Sequence, residues 1–363
     1  MSNNAINSLG ARHISLFVPE LLSGLRFLKD IPKQEIPNLS ALQLILSRAI
    51  THNDGFDNYY RATCELTGIL VSNKKDIPVS GIAIASEKNI SAETNSDFYM
   101  FAEPVVMQVD RDSVVLVNSL QTDLCDAEST QLIDEINQHF IDEPWTLNLS
   151  KNGAWYLNSE INYSLSTTNI STVLLKNTQP YLPRGDDDKY WRKIINEIEM
   201  LMFASEVNVK RLENNKLAVS SLWLWGAGKI PKITKKNINN DVLVGDNKFL
   251  QSASQLLDIP YKSLNKNKQL LKNSTIFDKF NNIFMVNIQL SECWQQHDLY
   301  EWLNILKILE IELFSPIVNN LRKGKIRSLS LYQNQKETFE INRRQANSWW
   351  KPVKTLVSLS SKL

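Results

Sequence analysis

Charge of one sign is missing from this 363-residue chain: 40 Lys and Arg stand against 39 Asp and Glu, a formal net charge of +1. That balance removes the electrostatic argument for a dedicated nucleic-acid or anionic-membrane binder. Short basic runs at 232–236 and 322–327 remain, and they read as solvated surface. Cysteine is scarce. Cys64, Cys125 and Cys293 are odd in number and far apart, which argues against a disulfide framework or a zinc ribbon and suits a reducing cytoplasm. The four histidines, His13, His52, His139 and His297, form no local metal-ligand pair. Long apolar runs are absent too. The run at 14–18 is stopped by Pro19, too short for a membrane span or a signal peptide. No internal repeat and no low-complexity linker interrupts the chain. A cytoplasmic protein without membrane or nucleic-acid partners is expected.

What is present is an ordinary globular composition, 43% apolar and 22% charged, on a chain long enough for two domains or one domain with a large insertion. "HISLFVPE" reads as a buried strand, followed by helical spacing at Leu21 to Leu28. Leu39, Leu42, Ile45 and Leu46 fall on one helical face. From Ile77 to Glu160 the texture is β-rich: "SGIAIASE", "EPVVMQVD", "DSVVLVNS" and "AWYLNSE", with Asp110-Arg111-Asp112 as a hairpin tip. A helix with Leu132, Ile133, Ile136 and Phe140 as its stripe breaks this block, with Asp126 as a cap. Trp191, Ile194, Ile195, Ile198 and Met202 line a further helix. "DVLVGD" and "IFMVNIQL" read as strands, then an amphipathic helix runs through Trp302, Ile305, Leu306 and Leu309 until Pro316 bends or ends it. "IRSLSLYQ" reads as the last strand. Strand and helix alternate at both ends around a mostly β middle. The economical architecture is an α/β domain (1–75 and 215–345) interrupted by an inserted α+β domain (76–214), with a tail at 346–363.

The most distinctive stretch is "SSLWLWGAGKIP", Ser220 to Pro231. As a strand it puts Trp223 and Trp225 on one face. The Gly-x-Gly reads as a tight domain crossover and not a phosphate loop, because the full spacing of a phosphate loop or dinucleotide fingerprint is absent.

The order of these pieces resembles the cofactor-independent phosphoglycerate mutases, above all the shorter archaeal type, of the alkaline phosphatase superfamily. The stretches that carry it are "IPNLSAL", "VNVKRLENNKLAVSSLWLWGAGKIP" and "IFMVNIQLSECWQQHD". "FAEPVVMQVDRDSVVLV", "LPRGDDDKYWRKIINEIEMLMF" and "SLWLWGAGKIP" also resemble a bacterial group labelled RpfE-type regulatory or phosphoglycerate mutase-like proteins. The resemblance implies an alkaline-phosphatase-like α/β domain with an inserted α+β domain. It also implies a two-metal site, typically of manganese, with a serine that carries the phosphoryl group.

Those catalytic groups are not where the resemblance would put them. The mutases end the first strand in Asp-Gly, the Asp on metal, where this chain has Pro19-Glu20. The serine position falls near Tyr59, and no serine lies between Arg48 and Val71. An Asp-x-x-x-His pair after "IFMVNIQL" is replaced by Glu292 and a shifted His297, which read as weak ligands or as polar loop residues. No Asp-His pair follows "SLSLY". Asn208 and Arg211 match an intact cleft pair of the mutases. Arg211 is read either as a ligand for a carboxylate or phosphate, or as the ion-pair partner of an acid such as Glu213. The expectation is a catalytically degenerate, regulatory or scaffolding protein without cofactor or metal. It would bind a small phosphorylated or carboxylate ligand or a protein partner. The alternative is a metal-dependent phosphotransferase or phosphohydrolase with a site rebuilt around Glu20, Glu292 and His297.

Overall fold

The computed structural model describes residues 13–69, 76–91, 95, 97–111, 113–120, 123–233, 241–265, 271, 275–294, 298–334 and 337–360. The chain divides into two compact units, Met1–Ile69 with Thr234–Leu363, and Leu70–Ile233.

The first unit opens with β1 (His13–Phe17), α1 (Ser40–Arg48), β2 (Ile50–His52) and α2 (Tyr59–Thr67). The second contains α3 (Val79–Lys88), β3 (Phe98–Asp110), β4 (Ser113–Ser119), α4 (Asp126–His139), β5 (Trp145–Leu149) and β6 (Trp155–Ser159). After β7 (Leu165–Ser166), α5 (Ile170–Val173) and β8 (Arg184–Gly185), it closes with α6 (Asp188–Ala204), α7 (Glu206–Glu213) and β9 (Ser221–Lys229). The chain then returns to the first unit through β10 (Val242–Val244), α8 (Lys248–Leu257), β11 (Tyr261–Lys262), α9 (Thr275–Lys279), β12 (Asn282–Val286) and α10 (Gln289–Trp294). It finishes with α11 (Leu299–Leu309), a π-helical turn (Glu310–Phe314), α12 (Ser315–Lys323), β13 (Ser328–Tyr332), β14 (Thr338–Asn342), α13 (Arg343–Ala346) and α14 (Leu356–Ser360).

In the first unit a seven-stranded sheet runs β11-β10-β12-β1-β13-β14-β2. The five strands from β11 to β13 are mutually parallel, and β14 pairs antiparallel with both β13 and β2. Strands buried on both faces read as continuous apolar runs, which is why Ile14, Leu16 and Phe17 of β1 are all fully buried. The π-helical turn between α11 and α12 aims the buried Glu310 carboxylate at the start of α1. There it accepts from the N–H groups of Ala41 (2.7 Å) and Leu42 (3.1 Å), a negative charge on the positive end of a helix.

In the second unit β4, β6 and β9 all pair antiparallel with β3, and β5 pairs with β6. The stripe of α6 forecast from its period, Trp191, Ile194, Ile195, Ile198 and Met202, is buried throughout. Trp223 and Trp225 share a face as forecast and pack in one apolar cluster with Val105 and Leu116. The glycines that follow serve a close backbone approach. Gly226 (φ 68°) and Gly228 (φ 149°) lie under the start of α3, and a Cβ on Gly228 would fall 2.8 Å from the Pro78 Cβ. Gly228→Ala is therefore expected to destabilise this unit by about 2–3 kcal/mol, from overpacking and positive-φ strain together. A denaturant midpoint unchanged from the parent would contradict that.

Four sequence expectations change. "SGIAIASE" is helical, not a strand, as α3. Most of its residues are buried, so the alternation of Ile82 and Ile84 reflects burial all round and carries no period. "SLWLWGAGK" is a strand of the second unit's sheet, not part of the first domain, because its backbone pairs with β3. The segment read as a tail at 346–363 is packed over its described residues, 346–360: Arg48 donates to the carbonyls of Ala346 (3.0 Å) and Lys351 (2.9 Å), and Leu356 is buried. Finally, "TFEIN" adds β14 after the strand read as the last.

Candidate functional site

Ligands of open parallel sheets bind outside the carboxyl ends of the strands. In the first unit β10, β12, β1 and β13 all end on one such edge, where Gly245-Asp246, Asn287, Val18-Pro19-Glu20 and Gln333-Asn334 follow them. The edge is closed by main-chain bonds: Val18 N–H donates to the Tyr332 carbonyl at 2.9 Å, and Asn287 N–H to that of Phe17 at 3.0 Å.

Glu20 is the centre of this edge. Its backbone is left-handed, φ 60°, a conformation that costs a non-glycine residue free energy and is kept only where the surroundings impose it. The imposition is visible. Its N–H donates to Asn334 Oδ1 at 2.8 Å, and Trp302 Nε1 donates to its carbonyl at 2.9 Å. Its carboxylate accepts from the Asn334 amide and the Ser23 hydroxyl. Glu20, where the resemblance would put Asp-Gly, thus has a left-handed backbone and a carboxylate with two hydrogen-bond donors, and the buried Pro19 ahead of it has no ligating side-chain atom. Beside Asn334, Gln333 is 1% exposed, and among the described residues neither of its amide atoms has a hydrogen-bond partner.

The position near Tyr59, to which the resemblance would assign a nucleophile, holds aromatic rings. Tyr59 and Tyr60 open α2, with Asn58 as its cap. Their rings lie 4.0 Å apart, and Tyr60 meets Phe249 of α8 edge-on at 4.9 Å. Burial first, then Tyr60 and Glu292, push the Tyr59 hydroxyl well above its ordinary range, the opposite of what an activated nucleophile needs. Burial likewise pushes up the Cys64 thiol of the same helix. Glu292 sits on α10 directly after β12, its carboxyl raised by desolvation. His297 lies outside the described residues. Among the described residues no three His, Cys, Asp or Glu side chains converge as a metal site.

Asn208 and Arg211 sit on α7 of the second unit, not on this edge. Asn208 donates to the carbonyls of Met202 (2.6 Å) and Val219 (2.9 Å) and accepts from Val219 N–H (2.8 Å), fastening α7 to the segment that leads into β9. Arg211 is 1% exposed. Its Nε donates to the Leu217 carbonyl at 2.7 Å, Nη1 to Glu128 at 3.0 Å, and Nη2 to Asp123. The anion-ligand reading of Arg211 is overturned. The guanidinium is an internal clamp, and its partners are Asp123 and Glu128, not Glu213. Sequence reading missed Asn334, Ser23 and Trp302 around Glu20. The only signal was the asparagine just past the "SLSLY" strand.

The fold is mixed α/β, an α/β unit interrupted by an inserted α+β unit. The edge that carries chemistry in such folds is populated here by aromatic and amide groups. No family model matches the chain. It is similar to the 2,3-bisphosphoglycerate-independent phosphoglycerate mutase of Methanosarcina mazei, 39% identical over 54 residues; that stretch is 15% of this chain and 14% of the relative. The PH0037 protein of Pyrococcus horikoshii shares the fold with a TM-score of 0.52 at 8% identity, over 92% of this chain and 88% of that one. A cofactor-independent phosphoglycerate mutase from Thermoplasma acidophilum aligns over 97% of this chain and 98% of its own with a TM-score of 0.47 and 13% identity. The likeness is one of fold, with a local likeness in sequence to the mutases. Among the described residues no helix is long and apolar enough to cross a membrane.

Proposed function

We propose that this chain is a phosphoglycerate mutase-like protein that has lost phosphoryl-transfer chemistry and acts by binding, in a regulatory or scaffolding role in the cytoplasm. The observation that carries the proposal is the Glu20 cluster. A carboxylate held by Asn334 and Ser23 on a left-handed backbone has its charge compensated by neutral donors. A two-metal site needs several free carboxylate or imidazole donors together. The raised Tyr59 hydroxyl in the place of the serine supports the same reading. The regulatory role agrees with the sequence resemblance to the RpfE-type group.

Purified full-length protein is expected to show no phosphoglycerate mutase turnover with manganese, cobalt, zinc or magnesium, and to bind none of them at stoichiometry. Turnover with any of these metals, abolished by Glu292→Gln or His297→Ala, would reverse the proposal in favour of a rebuilt phosphotransferase site.

A further inference from the structure

The second unit contains a cavity of about 250 Å³ that borders β9, lined by Leu222 and Leu224 with Arg192, Asn196 and Glu199 of α6, and also by Met107 of β3 and Val114 of β4. The register of β9 shows what that edge offers. Antiparallel partners alternate between pairs that exchange both main-chain bonds and pairs that exchange none. Leu222 lies opposite Pro104, which has no N–H to give. The Pro104 carbonyl accepts from Leu120 at 2.8 Å, on the β4 side. The Val105 carbonyl accepts from Ser220 at 2.8 Å, on the β9 side. The odd-numbered positions of this part of β9, Ser221, Trp223 and Trp225, are therefore the ones bonded to β3. The N–H and C=O groups of Leu222 and Leu224 face outward, and among the described residues no main-chain group pairs with them.

Buried main-chain groups without partners are costly, and the residues that carry these groups border the cavity. The side chains above them add a charge at each end. Arg192 Nε is buried and among the described residues makes no hydrogen bond, though it pairs with the Asp188 carboxylate at 3.7 Å. Seven residues on along α6, about 10 Å at 1.5 Å per residue, Glu199 lies against the fully buried Ser221. Burial raises the Glu199 carboxyl, with Ser221 opposing, and a cation brought to it would favour the charged form and so oppose the effect of burial.

We propose that this edge is a binding slot for the main chain of a short peptide with free ends, laid as an added strand along β9. Leu222 and Leu224 repeat the main-chain donor and acceptor set about 7 Å apart, the two-residue repeat of a strand. Three extended residues span about 10 Å, close to the rise of about 10 Å along α6 from Arg192 to Glu199. The peptide carboxylate goes to Arg192 and its ammonium to Glu199. The small volume, below the ~300 Å³ of common small-molecule pockets, limits the occupant to a few residues with small side chains.

The probe is tri-alanine, titrated calorimetrically into the full chain, with its carboxamide and its N-acetyl form as controls. Tri-alanine is expected to bind, and each blocked end to weaken it about ten- to a hundredfold, the worth of one charge-assisted hydrogen-bond set. Arg192→Gln should weaken the free acid by the same factor and erase its advantage over the carboxamide. Glu199→Gln should do the same for the N-acetyl comparison. Because each variant is judged by the ratio between two ligands, a general loss of folding does not imitate the result. N-methylation of the central amide should also reduce binding. No binding at millimolar tri-alanine, or an acid-to-amide ratio unchanged in Arg192→Gln, overturns the proposal. So does a dimer in sedimentation that tri-alanine leaves intact, which would give the edge to a second copy of the chain.

Discussion

Trp302→Ala is expected to cost the first unit about 3–5 kcal/mol, the range for deleting a buried large aromatic. Trp302 is fully buried in the main core of that unit. Its ring packs so closely on Gly24 that a Cβ there would fall 2.6 Å from it. Its Nε1 also holds the carbonyl of Glu20 at 2.9 Å. Removing the ring thus opens a cavity and releases one of the bonds that keep Glu20 left-handed. Trp302→Phe separates the two effects. Most of the packing stays while a buried carbonyl loses its donor, for about 1–2 kcal/mol. The check is denaturant unfolding of both variants, with hydrogen exchange along β1 as a local readout. If alanine cost less than about 1 kcal/mol, or phenylalanine as much as alanine, the account of Trp302 as both core and clamp would fail.

Arg211→Ala is expected to destabilise the second unit by about 3 kcal/mol, the low end of the range for breaking a buried ion pair. Asp123 is half exposed and rehydrates once its partner goes, so the upper end does not apply. The Leu217 carbonyl loses its donor as well. The pH dependence gives a second test. Burial raises the Glu128 carboxyl, but the Cys125 N–H bond and the Arg211 charge outweigh it, leaving the carboxyl below its ordinary 4.5. A depressed folded-state value stabilises fully above the unfolded one, and this contribution is lost as pH falls through the folded value. The parent should therefore lose stability below about pH 4.5, and Arg211→Ala should lose less over the same window. Parental stability in the variant, or the same acid sensitivity in both proteins, would mean that the clamp contributes nothing.

Much of the fold was legible because the pattern that carries it is local. The stripe of α6 and the alternation of β9 follow from the period of helix and strand, and both hold. The helix α3 was misread where period fails. Gly81, Ile82, Ile84 and Ala85 are all buried, so no polar face marks the turn of the helix. At the candidate site the sequence pointed to Pro19-Glu20 and to the missing serine, since both lie next to recognisable strands and helices. It did not point to Asn334, which meets Glu20 across 314 residues.

The sequence by itself determined most of the strands and helices, α3 and β14 excepted, and which of their faces are apolar. Tertiary structure alone decided what the remaining polar groups do. Glu213 lies two residues from Arg211 on α7, and neighbours at that spacing do not face one another on a helix. The guanidinium turns instead to Glu128 and Asp123, 83 and 88 residues away. Likewise Pro104 reads as a strand residue like its neighbours until it is paired with Leu222. Only the register then shows which main-chain groups of β9 face away from β3, because hydrogen-bond direction depends on which strand lies opposite and not on the residues of the strand itself.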